Sequence, residues 1–172
     1  PVSSVIVVGK SWVEPLTWGL LTAGLQVVHK AVDELSESFD TPFLVVLFEG
    51  RSFVPLSAGR CLRSRKQPLG CAMHGKDIVL VKGDNRLAHK LCDSLKQCLD
   101  RGLGFCVFHP FLSYFWDIPE VVGVVNRLGP LLNSFWISDK GIFTKWSVLH
   151  NSSIFMHALS DEPTFHTRKC DD

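Results

Sequence analysis

Phe43-Leu44-Val45-Val46-Leu47-Phe48 is the longest unbroken apolar run in the chain. Its length, its β-branched centre and the Glu49-Gly50 that ends it predict a strand apolar on both faces. Such a strand belongs in the middle of a sheet covered on both sides. Six residues are far too few to cross a membrane as a helix, and no other stretch comes closer.

Working outward, Val5-Ile6-Val7-Val8 halts at Gly9 as a second buried strand, and Leu25 to Val28 reads as a third. Ile78 to Val81 and Phe105 to Phe108 are read the same way. Helical spacing links Leu16, Leu20 and Leu21 between Trp12 and Thr22, and Ala31, Glu34 and Leu35 between Lys30 and Ser38. A single helix from 14 to 38 competes with this, although Gly24 and the paired β-branched residues oppose it. Asp84 or Asn85 would cap a helix running to Arg101 with Leu87, Leu91, Leu95 and Cys98 inward. Asp117-Ile118-Pro119-Glu120 opens another that Gly129-Pro130 ends. A strand near Leu132 to Ile137, a turn at Asp139-Lys140-Gly141 and a strand or helix after it complete the order. Strands alternating with helices predict a three-layer α/β/α sandwich around a mostly parallel sheet. One domain over residues 1 to 160 and a polar tail over 161 to 172 are expected.

The chain has 172 residues, 46% apolar and 20% charged, enough for a full core and inconsistent with disorder or coiled coil. The opening PVSSVIVVGKSW has neither a basic n-region nor a small-residue cleavage site, so no secretory signal is expected. Six cysteines without a C-x-x-C pair predict free thiols in a reducing, intracellular compartment, cytoplasmic or nuclear. Asn151-Ser152-Ser153 is a formal glycosylation sequon, without meaning unless the chain is secreted.

Charge is unevenly spread. Nine Lys/Arg (51, 60, 63, 65, 66, 76, 82, 86, 90) face two acids, Asp77 and Asp84, between positions 51 and 90. That segment carries +7 and the remainder −6, within a net charge of +1. Arg51, Arg60, Arg63, Arg65, Lys66 and Lys82 would contact phosphates, and Phe53 would supply a ring for stacking on a base. A second candidate is a strand-end pocket built from Gly9, Lys10, Ser11, Glu49, Asp84, Asn85 and His109, since ligands of parallel sheets sit outside the carboxyl ends of strands. Turn chemistry alone also gathers Gly and polar residues at such ends.

Weaker motifs point elsewhere. Gly9-Lys10-Ser11 ends like a phosphate-binding loop but lacks its first glycine, Ser4 standing there. Asp40 with Glu49-x-Arg51 is faintly similar to the carboxylates of restriction-like nucleases. Cys106-x-x-His109 offers a thiol and an imidazole. His157, His166 and Cys170 have no common zinc spacing, and no metal or cofactor is expected.

Leu25-Gln-Val-Val-His-Lys-Ala-Val-Asp-Glu-Leu35 with Phe43-Leu-Val-Val46 resembles the early strand–helix–strand unit of the macrodomain family, in particular divergent members within viral replicase polyproteins. Asp84-Asn-Arg-Leu-Ala-His-Lys-Leu91, leading to Phe105-Cys-Val-Phe-His-Pro-Phe-Leu-Ser113, is similar to its late helix and following strand. Ser138-Asp-Lys-Gly-Ile-Phe143 is similar to its S-x-G-I-F loop, but follows Ser113 and so comes late in order. Leu47-Phe48-Glu49-Gly50 stands where ADP-ribose binders carry Asn-Ala-Ala-Asn, Ser57-Ala58-Gly59-Arg60 near their glycine triplet, and Ala23-Gly24 at their adenine-recognising Gly-Asp. The resemblance therefore implies a non-catalytic module binding RNA, DNA or an acidic protein rather than an ADP-ribosyl hydrolase. The alternatives are a pseudo-enzyme that assembles, as hetero- or homo-oligomer, through the aromatic segment 108–116, and a nucleotide-binding enzyme or degenerate nuclease.

Overall fold

A computed structural model describes residues 4–9, 21, 25–35, 42–48, 50–55, 62–71, 75–128, 132–139, 142–151 and 166–167. The strands are β1 (Ser4–Val8), β2 (Gln26–Lys30), β3 (Phe43–Leu47), β4 (Gly104–Pro110), β5 (Leu132–Asp139), β6 (Ile142–His150) and β7 (His166–Thr167). Two helices are described, α1 (Lys76–Arg101) and α2 (Pro119–Leu128), with short 3-10 helices at Val32–Glu34, Arg51–Phe53 and Tyr114–Asp117. The chain is of the α/β class.

The sheet runs β2-β1-β3-β4-β6-β5-β7. Its first half is parallel, β1 lying between β2 and β3 and β3 beside β4. Its second half is antiparallel, β4 with β6, β6 with β5 and β5 with β7. The expected mostly parallel sheet is therefore corrected to an even mixture. Asp139 pairs with Ile142 across two intervening residues, and a connection this short joins only antiparallel neighbours.

Alternation along the strands divides the core in two. Ile6, Val8, Leu44, Val46, Phe105, Val107 and Leu149 face the helices and pack with Leu91, Leu95, Cys98, Val121 and Val124. Val5, Val7, Val45, Cys106 and Val148 form the buried cluster on the opposite face. Both described helices lie on the first face. Phe43–Leu47 takes the interior position its composition predicts, its three central residues buried.

The expected strand at Ile78 to Val81 is instead the opening of α1, a helix of 26 residues. Only Val81 of those four is buried, and it starts a stripe continued by Asp84, Ala88, Leu91, Leu95 and Cys98 at helical spacing. Val79 is 71% exposed. Packing of that stripe overrides the β-preference of the residues between. Asp84 and Asn85 are consequently interior to the helix and do not cap it. Gly75, at φ 64°, precedes the first turn, and Gly102, at φ 68°, ends the last with its N–H on the Cys98 and Leu99 carbonyls.

Of the helix expected over Lys30 to Ser38, the described residues contain only the 3-10 turn Val32–Glu34, where Glu34 Oε2 accepts from the Ala31 N–H at 2.9 Å. The helix expected over Trp12 to Thr22 lies outside the described residues except for Leu21, which is helical. From the expected polar tail, His166–Thr167 pairs with Asn133 and Ser134 of β5.

Two substitutions test the inward and outward faces of α1. Leu95→Ala should cost roughly 2–5 kcal/mol in urea unfolding, as a truncated core leucine does. Val79→Ala should stay within about 0.5 kcal/mol of the parent, because nothing packs on it and alanine favours a helix.

Candidate anion-binding surface

Arg63 is the largest fully buried side chain among the described residues, and its surroundings account for the shape of the basic segment. Its Nη1 donates to the Pro68 carbonyl at 2.6 Å and to Asn85 Oδ1 at 2.7 Å. Its Nη2 donates to Ser52 Oγ at 2.7 Å and to the Val81 carbonyl at 3.3 Å, and its Nε to the Ser52 carbonyl at 3.1 Å. The guanidinium carbon lies 3.6 Å from the centre of the Phe53 ring. Ser52 in turn donates its hydroxyl and its backbone N–H to Asp84 Oδ2, at 2.6 and 2.8 Å. Burial lowers the Arg63 pKa to about 10, with the negative charge of Asp84 opposing the shift, so the group remains a cation at neutral pH.

Phe53 joins this network to the carboxyl end of β4. His109 is buried there among Phe48, Phe53, Phe115 and Trp116, ring centres 5.1–6.5 Å apart. Its Nδ1 hydrogen-bonds the Phe48 carbonyl at 2.7 Å and therefore carries the proton. Burial depresses the imidazole pKa to about 3, the hydrogen bond to Phe48 acting in the opposite sense. Ser113 locks the following segment down by donating to the Phe53 carbonyl at 3.2 Å. Gly50 fits between rings, since a Cβ there would meet Phe48 and Phe53 at 2.6 Å.

These positions revise the sequence-based sites. Phe53, Arg63, Asp84, Asn85 and His109 are brought together in one network of hydrogen bonds and ring contacts. Arg63 and Phe53, each fully buried, are unavailable for phosphate contact or base stacking. Gly9 follows β1. Lys10, Ser11, Glu49 and Arg60 lie outside the described residues, as do Asp40, His157, Cys61 and Cys170. Cys106 and His109 cannot cooperate: three residues apart on a strand, they occupy opposite faces, Cys106 with Val5 and Val45 and His109 with Phe48 and Phe115.

Cys92, Cys98 and Cys106 are free and buried, and Cys71 is free and half-buried. Burial pushes the Cys92 and Cys98 thiols up to about 12, and that of Cys106 higher still. Among the described residues no cluster of His, Cys, Asp and Glu suits a metal ion, and no helix is long and apolar enough to cross a membrane. Asn151 of the sequon spends its amide on structure, accepting from the Phe105 N–H and donating to the Leu103 carbonyl, both at 2.8 Å. The rings of segment 108–116 are also largely engaged: Trp116 Nε1 donates to the Pro110 carbonyl, and Lys145 Nζ sits 4.0 Å over Phe111. Leu112 is the exposed residue of that segment.

The remaining cations face outward. Arg51, Arg65, Lys66, Lys76, Lys82 and Arg86 are exposed, and among the described residues none of them is ion-paired. Lys82 and Arg86 lie four residues apart on α1, opposite the buried stripe, and Lys90, half-buried and engaged, comes one turn further on. Lys76, Arg86 and Lys90 belong to the nine cations of the basic segment but not to the phosphate contacts expected from the sequence, where a strand at Ile78 to Val81 separates Lys76 from the helix. The uninterrupted helical spacing from Val81 to Cys98 was the signal that would have joined them. With Arg63 and Asp84 opposed in the interior, Asp77 is the one acid left in the segment's described surface. Compared with protein-family models, curated proteins and solved structures, the chain matches none.

Two outcomes follow from the buried groups. Asp84→Asn should destabilise by about 3–5 kcal/mol in denaturant unfolding, because it leaves the Arg63 cation buried with its charge uncompensated. His109 folds as the neutral form with its pKa far below the unfolded value near 6.5, so the unfolded chain binds the extra proton between these values. Its contribution to stability is intact above about pH 6.5 and falls on acidification by ~1.4 kcal/mol per pH unit. Urea midpoints at pH 7, 6 and 5 should show this slope in the parent and lack it in His109→Gln.

Proposed function

We propose that this chain is a non-catalytic module that binds single-stranded nucleic acid, RNA in the first instance, along the outward face of α1 and the adjoining Arg65–Lys66 turn. The observation that carries the reading is the exposed pair Lys82 and Arg86, four residues apart on α1 and joined to no acid among the described residues. Like charges so placed destabilise a helix by roughly 0.2–0.5 kcal/mol per pair. Lys76, in the first turn of α1, also opposes the helix dipole. A sequence that accepts both costs on a solvent face has arranged them for an anion. Successive side chains rise by about 6 Å along the axis, a spacing suited to consecutive phosphates of an extended strand.

Absence of catalysis is part of the same proposal. Cys92, Cys98 and Cys106 are held protonated by burial, His109 is boxed in by rings, and Asp84 is consumed by Ser52. Buried free thiols favour a reducing, intracellular setting. The scaffold we favour is a three-layer sandwich: Val5, Val7, Val45, Cys106 and Val148 are buried on the sheet face away from α1 and α2, which calls for a covering layer. The macrodomain-like segments support a degenerate scaffold of that family, reused for binding.

Titration of a fluorescent single-stranded RNA at several salt concentrations tests the reading. Log affinity should fall linearly with log salt, by about 0.7 per phosphate neutralised. The double variant Lys82→Glu/Arg86→Glu should bind at least tenfold more weakly and with a shallower slope. Binding insensitive to salt, or no binding at low salt, overturns the proposal. Equal competition by an acidic polypeptide would transfer the surface to a protein partner and overturn it as well.

A further inference from the structure

We infer that Arg63 is a positioning residue for this surface: from inside the molecule it fixes where Arg65 and Lys66 stand relative to Lys82 and Arg86. The inference rests on the binding role proposed above, but the geometry that motivates it is independent of any ligand. Residues 62 to 71 form a closed excursion. Its base is the Cys71 N–H on the Leu62 carbonyl at 3.1 Å, and its tip is the reciprocal Ser64–Gln67 pair at 3.0 and 3.3 Å. Arg65 and Lys66 are the two residues at that tip, both exposed.

Within the excursion, few side-chain contacts tie it to α1. Arg63 supplies most of them, reaching Asn85 Oδ1 and the Val81 carbonyl while holding the Pro68 carbonyl in the same turn. Asn85 completes the link by donating Nδ2 to the Leu69 carbonyl at 2.8 Å. Lys82 and Arg86 flank Asn85 on the helix, at i−3 and i+1, so the turn is pinned against the flank of this cationic pair. The fork is essential to this. Three nitrogens serve five acceptor groups on three segments, a task a lysine ammonium, with a single nitrogen, cannot perform. An exposed arginine would add one charge to the surface; this one instead arranges the charges of others.

The experiment compares Arg63→Lys, which keeps the charge, with Asn85→Ala, which leaves Arg63 in place and removes its helix-side partner. Asn85→Ala carries the test if Arg63→Lys does not fold, as judged by far-UV circular dichroism. Trypsin cleavage after Arg65 and Lys66, followed by mass spectrometry, should accelerate about tenfold in either variant, as expected when one or two net hydrogen bonds are lost from the anchoring of a loop. RNA affinity should fall several-fold although Arg65, Lys66, Lys82 and Arg86 are all retained. In an Arg65→Ala/Lys66→Ala background the same Asn85→Ala change should have no further effect on affinity, since the turn it positions then carries no charge. An unchanged cleavage rate, or losses in affinity that simply add, overturns the inference. If the parent binds no RNA, the functional reading fails while the cleavage rates still decide whether Arg63 sets the turn.

Discussion

A guanidinium taken out of water imposes demands that organise everything around it. Arg63 stays charged, so its desolvation has to be offset by hydrogen bonds on every edge and by a counter-charge. Meeting those demands draws in the 3-10 turn Arg51–Phe53 through Ser52, the 62–71 excursion through Pro68, and α1 through Val81, Asp84 and Asn85. Phe53, beneath the guanidinium, passes the constraint to the aromatic group around His109 and so to the ends of β3 and β4. The loop region and the core are in this way a single packing problem.

The apolar strands were legible in the sequence because their signal is local. A short β-branched run ending at glycine or at a His-Pro pair buries itself in a sheet wherever it falls, and β1, β3 and β4 occupy the predicted places to within a few residues. Ile78 to Val81 has the same local signature but a different outcome. Its fate was decided by Asp84, Ala88 and Leu91 downstream, whose spacing extends a buried stripe back to Val81 and leaves Val79 in solvent. The antiparallel half was hidden for a related reason. Strand direction depends on the length of a connection, and the connection from Asp139 to Ile142 was legible only as a turn.

The candidate site divided along a similar line. That the segment from 51 to 90 is cationic follows from counting. Which cations serve the surface does not, because Arg63 and its exposed neighbours are the same kind of residue in sequence and differ only in what surrounds them. Asp84 would reduce the surface charge if it faced outward; facing Ser52 and Arg63 it is silent there. Burial of one acid and one base thus sharpens a patch that composition alone would have described as diffuse.

The change of strand direction at β4 carries a consequence for assembly. β5 and β6 are consecutive, and a hairpin of that kind closes in microseconds from contacts close in sequence. β1, β2 and β3 meet only across long crossovers, which raise the contact order and slow the search. β4 is the interior strand on which these two halves converge, parallel on one side and antiparallel on the other. Until it is flanked on both sides, it presents a bare ladder of apolar residues, Phe105 to Phe108, to any other chain nearby.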